Sequence, residues 1–144
     1  MKIGIASDHR GFKLKEQLKK NLNYEFVDYG TNSEESTDYP IYAFKLGEAV
    51  ANKEVDYGVA ICGSGIGISI ACNKVKGIRC AKVSNKEEAM YTRNDNNSNI
   101  VAFGEKTTLE EAIDIVKTFV ETQASIEEKH QRRVNEIIEY EENN

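Results

Sequence analysis

The stretch DYGVAICGSGIGISIACNK, residues 56–74, decides the fold. Residues 56–62 form a short apolar run, apolar enough to be a central strand buried on both faces. The glycine turn GSGIG follows, and GISIACNK reads as a short helix. Such a turn has three possible uses: it cradles a phosphate, caps a helix, or presents Cys62 as a base or nucleophile. Its spacing matches neither the dinucleotide fingerprint GxGxxG, since position 68 is isoleucine, nor a nucleotide P-loop, since no GK[ST] follows. A glycine turn that opens a helix still presents free N–H groups able to bind an anion.

Outward from this stretch, strands and helices alternate. KIGIA (2–6) reads as a strand, and a helix over 12–22 puts Leu14, Leu18 and Leu22 on one stripe. YEFVDYG (24–30) is a second strand, followed by the polar loop TNSEESTDYP and a helix over 41–52. GIRCAKV (77–83) and NIVAFG (99–104) supply the fourth and fifth strands. Capping-box patterns at Ser84/Glu87, Thr107/Glu110 and Ser125/Glu128 open three further helices, the last over about 126–140. NDNNSN (94–99) reads as a solvated turn. The expectation is a single α/β domain over residues 1–144, a doubly wound five-stranded parallel sheet with helices on both faces.

Bulk properties narrow the partners. Of 144 residues, 40% are hydrophobic and 30% charged, as in an ordinary soluble domain. A formal net charge of −5 gives no general attraction to nucleic acid or an anionic membrane, so neither is expected as a partner. The first residues, MKIGIASDHRG, turn charged too soon for a secretory signal. Three cysteines without a CxxC pair suggest neither a disulfide framework nor a zinc ribbon, and a reduced, cytoplasmic setting is expected. Two isolated histidines make no metal site, and no metal is expected.

The topology then gathers residues distant in sequence. Ligand crevices of open parallel sheets lie outside the carboxyl ends of the strands. The loops leaving those ends carry Asp8, His9, Cys62 and Ser64 to one rim. A thiol beside a helix start is a usable base or nucleophile, whereas Cys72 and Cys80 sit where cysteines merely pack. His130, in EEKHQRRV, lies either on a solvated helix face or in a phosphate clamp. NDNNSN follows a helix returning from the rim, so it lies at the opposite edge from Cys62. If Asp95 or Asn96 serves the same site, a second subunit supplies it.

SDHRGFKLKEQL, STDYPIYA, ICGSGIGISIACNKVKGIR, NIVAFG and KHQRRV occur in this order along the chain. Together they resemble type B ribose-5-phosphate isomerases, a family that includes galactose-6-phosphate isomerase subunits. The resemblance spans Lys2 to about Glu139. It implies a Rossmann-like, cofactor-free, metal-independent aldose–ketose isomerase of the pentose phosphate pathway, a homodimer (or a tetramer of paired dimers) with sites shared between subunits. By the same resemblance Cys62 is the general base working through an enediolate. The backbone of Gly63, Ser64, Gly65, Ile66 and Gly67 holds its oxygen, and the Ser64 hydroxyl shuttles protons. Asp8, His9 and Asn96 bind sugar hydroxyls. Lys106, Lys129, His130 and Arg133 bind phosphate, and the terminal helix contributes to dimer contacts. Two departures stand out. Asp95 occupies the place of the family's ring-opening histidine and is a candidate catalytic residue. An aspartate at its ordinary pKa of about 3.9 is a poor acid at neutral pH, so either Asp95 is perturbed, His9 opens the ring, or the preferred substrate needs less help. Lysine replaces arginine at positions 106 and 129, keeping charge but losing the bidentate fork, with Arg132 a nearby substitute. A hexose-6-phosphate isomerase acting on allose or galactose 6-phosphate and a non-catalytic sugar-phosphate or nucleotide binding module are the alternative readings.

Overall fold

A computed structural model describes residues 1–144. From the amino end run β1 (Lys2–Ser7), α1 (Phe12–Asn21), β2 (Glu25–Asp28), α2 (Tyr39–Ala51), β3 (Tyr57–Cys62) and α3 (Ile66–Cys72). Then come β4 (Cys80–Lys82), α4 (Lys86–Asn96), β5 (Ile100–Gly104), α5 (Leu109–Glu121) and α6 (Glu128–Glu142). All strand pairs are parallel, in the order β2-β1-β3-β5-β4. This is the doubly wound, Rossmann-like sheet the sequence leads one to expect, with β3 at its centre.

Strand alternation divides the core between two faces. Ile3, Ile5, Val59, Ile61, Val101 and Phe103 point to the side covered by α1, α4 and α5, meeting Leu14, Leu18, Ala89, Ile115 and Phe119. Ala6, Ala60, Cys62, Ile100 and Ala102 point to the other side, against Ala43 and Leu46 of α2 and Ile68 and Cys72 of α3. The small residues on this second face let α2 and α3 lie close to the sheet. Leu14, Leu18 and Leu22 are all buried, as their stripe predicts.

Helix starts differ from the sequence reading by one residue or more. Asn85, not Ser84, caps α4: its Oδ1 accepts from Glu88 N–H at 2.9 Å, while Glu88 reaches back to Ser84 N–H. A reciprocal capping box does open α5, but between Thr108 and Glu111. Ser125 forms only a local turn to Glu127 N–H, and α6 begins at Glu128. Neighbouring hydroxyls, amides and glutamates satisfy the same pattern in adjacent registers, so tertiary packing chooses among them.

NDNNSN is not a solvated turn. Asn94, Asp95 and Asn96 continue α4, which ends only where Asn97 adopts a left-handed φ of 48°. Buried Arg93 fixes that end, bonding Asn97 Oδ1 and the Ser98 carbonyl. At the outer edge of the sheet, the Asn73 side chain donates to Cys80 O and accepts from Cys80 N–H, tying α3 to β4.

Candidate active site

At the carboxyl ends of β1 and β3 the connections leave on opposite sides of the sheet, and a crevice opens there. A cleft of about 530 Å³ lies at this point, lined by Asp8, His9, Arg10, Thr37, Tyr39, Cys62, Gly63, Ser64 and Gly67 among others. Cys62 ends β3 with 4% of its surface exposed, and its Sγ accepts the Gly65 N–H at 3.1 Å. That bond fixes the sulfur at a position where it borders the cleft. It depends on backbone shape: Gly65 has φ 81°, and a Cβ there would meet the Phe103 carbonyl carbon at 2.6 Å.

The glycine turn is partly occupied by itself. Gly65 N–H serves Cys62, and Ile66 N–H donates to Ser64 Oγ at 3.1 Å. The N–H groups of Gly63, Ser64 and Gly67 have no acceptor within the chain, and all three residues line the cleft. Of the five amides expected to hold an anion, three are therefore unengaged within the chain.

Asp8 is folded inward. Its Oδ1 accepts from Arg10 N–H at 3.0 Å and Gly11 N–H at 3.1 Å, which shapes the loop and leaves Oδ2 unbonded within the chain. His9 Nδ1 lies 3.2 Å from both Thr37 N and Thr37 O, so the ring accepts the Thr37 N–H in one tautomer and donates to the Thr37 carbonyl in the other. Thr37 Oγ1 in turn lies 2.9 Å from the Tyr42 hydroxyl, so the loop after β2 braces His9. The root of that loop is anchored by Asp28. Its Oδ1 accepts Gly30 N–H, and its Oδ2 holds Lys15 at 2.5 Å and Lys19 at 2.7 Å. Burial alone would raise the Asp28 pKa, but the Lys15 and Lys19 ammonium groups outweigh it and hold the carboxyl below its ordinary value.

Of the residues expected in the site, one chain brings together Asp8, His9, Cys62 and the glycine turn. Lys106 lines an adjoining cleft of about 680 Å³ that shares Arg10, Gly63 and Ser64 with the first. The others lie elsewhere. Asp95 and His130 share a cavity of about 300 Å³ between α4 and α6, with His130 Nε2 3.7 Å from Asp95 Oδ1 and 3.4 Å from Glu127 Oε2. Asn96 faces a separate groove with Arg79 and Tyr140. Lys129 and Arg133 are exposed on α6, and Arg132 pairs with Glu128. The end of α4 lies beside the start of β3, where Asn99 O accepts from Gly58 N–H, at the opposite edge from Cys62. Sequence reasoning missed Arg10, Thr37 and Tyr39. Their signal was position alone, in loops already placed at the rim.

Fold and cleft thus define a doubly wound α/β protein offering one thiol, one imidazole and open backbone amides at its switch point. The sequence profile described as Ribose/Galactose Isomerase matches residues 3–137. The chain is 43% identical over 142 residues to Escherichia coli ribose-5-phosphate isomerase B, covering 94% of this chain and 93% of that protein. It superposes on the structure of Clostridium thermocellum ribose-5-phosphate isomerase B with a TM-score of 0.92, at 46% identity and 99% coverage of both chains. Mycoplasma genitalium ribose-5-phosphate isomerase B, solved with bound ribulose 5-phosphate, superposes with a TM-score of 0.89 at 37% identity, over 99% of this chain and 97% of that one. The chain belongs to the ribose/galactose isomerase family, and it is an isomerase. No helix is long and apolar enough to cross a membrane.

Proposed function

We propose that this enzyme interconverts ribose 5-phosphate and ribulose 5-phosphate through an enediolate, with Cys62 as general base. The observation that carries the reading is the Cys62 sulfur, fixed by the Gly65 N–H beside three unengaged amides in a cleft with Asp8 and His9. In the forward direction the thiolate removes the proton from C2 of the open-chain aldose. The electron pair moves through the new C1–C2 double bond onto O1, and the charge is met by the N–H groups of Gly63, Ser64 and Gly67. Ser64 Oγ passes the O2 proton to O1, and the Cys62 thiol returns its proton to C1, completing the ketose. Every atom is conserved, and the steps need no redox partner.

Ring opening precedes this and needs an acid at the ring oxygen. His9 is suited to that role, because its imidazole lines the cleft and is braced at Nδ1 by the Thr37 backbone. Asp8 Oδ2 and the Asn96 amide bind sugar hydroxyls, and Asp95 orients the anomeric hydroxyl. Lys106, Lys129, His130 and Arg133 meet the phosphate.

One chain does not bring these groups together, so the working enzyme is a homodimer with composite sites. Tyr39, Ile41 and Phe44 of α2 and Ile66 and Ile70 of α3 are apolar side chains left 38–57% exposed on neighbouring helices beside the cleft. Such a surface favours burial against a second subunit.

The test is solvent exchange. In deuterated water the wild type should place deuterium on C2 of recovered ribose 5-phosphate. Cys62→Ala should lose at least about a thousandfold in turnover while still binding the sugar phosphate. Unchanged turnover in that variant would remove Cys62 from the chemistry. Turnover of allose or galactose 6-phosphate without ribose 5-phosphate would replace the substrate assignment.

A further inference from the structure

Arg10 projects from the β1–α1 loop between the two clefts and lines both. It is more than half exposed, and its guanidinium carbon lies 3.8 Å from where a Cβ on Gly63 would stand. Its Nε is ion-paired with Glu105, whose Oε2 is buried against it without hydrogen-bond geometry. The second cleft holds two more cations, Lys82 and Lys106, neither paired with a carboxylate. Lys82 Nζ rests on Ser84 Oγ at 3.1 Å. The one acid lining that cleft, Glu111, is committed to Thr108 in the α5 capping box. Three cations thus converge on a cavity whose one lining carboxylate is already engaged, beside the turn that carries Cys62.

We propose that Arg10 is a substrate-phosphate residue held in reserve by Glu105. A dianionic phosphate entering the second cleft takes the guanidinium from Glu105, gaining a planar double donor that Lys82 and Lys106 cannot supply. Until then Glu105 keeps Arg10 folded over Gly63 and lowers the affinity for other anions. The chain therefore restores, from a loop beside the catalytic turn, the bidentate contact that lysine at 106 and 129 gives up. This inference rests on the sugar-phosphate reading above.

The experiment compares Arg10→Met, Arg10→Lys, Glu105→Gln and the double variant in ribose 5-phosphate kinetics. Inorganic phosphate binding to each, in a Cys62→Ala background, is measured by calorimetry. Arg10→Met should raise KM about tenfold and weaken phosphate binding by a similar factor, with a smaller loss in kcat. Arg10→Lys should recover part of both. Glu105→Gln should act in the opposite sense, tightening phosphate binding several-fold, and the double variant should behave like Arg10→Met alone. A merely structural pair would make both single variants worse. Equal phosphate binding by wild type and Arg10→Met, or weaker binding by Glu105→Gln, would overturn the proposal. Should the wild type fail to isomerise ribose 5-phosphate, the functional reading falls, and the calorimetric comparison still decides the role of Arg10.

Discussion

The two rims of the sheet are built on different terms. At the carboxyl rim every side chain of interest is held by its own chain: Cys62 by Gly65 N–H, His9 by Thr37, Asp8 by the loop it caps. At the amino rim Lys129 and Arg133 stand exposed on α6, while Asp95 and His130 face each other rather than a catalytic group. Preorganisation within one subunit suits groups that must act within tenths of an ångström on a reacting carbon. Charges that only attract a phosphate tolerate delivery by a second molecule. On the proposed function the chemistry stays within one chain, and the amino rim of the second subunit adds to the phosphate capture that Arg10, Lys82 and Lys106 begin at the carboxyl rim of the first.

Complementation is the severest test of that contrast. Cys62→Ala and the double variant Lys129→Ala/Arg133→Ala should each be nearly inactive alone, the second losing about a hundredfold in kcat/KM. Co-expressed in equal amounts they should recover about a quarter of wild-type activity, because half the dimers then hold one intact composite site. No recovery would break the comparison and place both rims' functions in a single chain.

Within the carboxyl rim, Gly65→Ala should cost about 3 kcal/mol of stability or more, since the added Cβ meets the Phe103 backbone at 2.6 Å from a left-handed conformation. A melting curve like that of wild type would show the turn to be plastic and the preorganisation argument wrong.

Asp28→Asn should cost about 2 kcal/mol by leaving the buried Lys15 ammonium with Glu16 alone. Because the folded Asp28 carboxyl is held below its ordinary value, its contribution is complete above the usual carboxylate range and vanishes as pH falls through the folded pKa. The gap in Tm between the two proteins should be full at pH 7 and close below about pH 4. A gap independent of pH would detach the ion pair from the anchoring of the His9 loop. The smallest effect is expected at Thr108→Ala, about 1 kcal/mol through loss of the α5 cap.

Much of the carboxyl rim was legible before any coordinates, because it follows from alternation. Once KIGIA and DYGVAIC are parallel neighbours, the residues that end them must meet, and Asp8 N–H does donate to Ile61 O. The amino rim was harder to read. Polarity alone made NDNNSN look like a turn, whereas Arg93 buried beneath it extends α4 to Asn96. The Arg10–Glu105 pair was invisible for a different reason: its partners come from loops 95 residues apart, and neither belongs to a motif. Register at the helix caps failed for want of packing information, since Ser84 and Asn85, or Thr107 and Thr108, are equivalent as isolated residues.

The side chain of Asn73 has a consequence beyond holding α3 to β4. β4 is a border strand, and border strands invite pairing with another molecule's backbone. At Cys80 both the amide and the carbonyl are already taken by one asparagine side chain, which imitates the strand that would otherwise add there. The three-residue border is thereby closed at its first residue, and a stranger chain finds too short a run of free groups to template on. Asn73 works as a guard against sheet extension, and its loss should show first as slow clumping of folded protein at high concentration, with melting little changed.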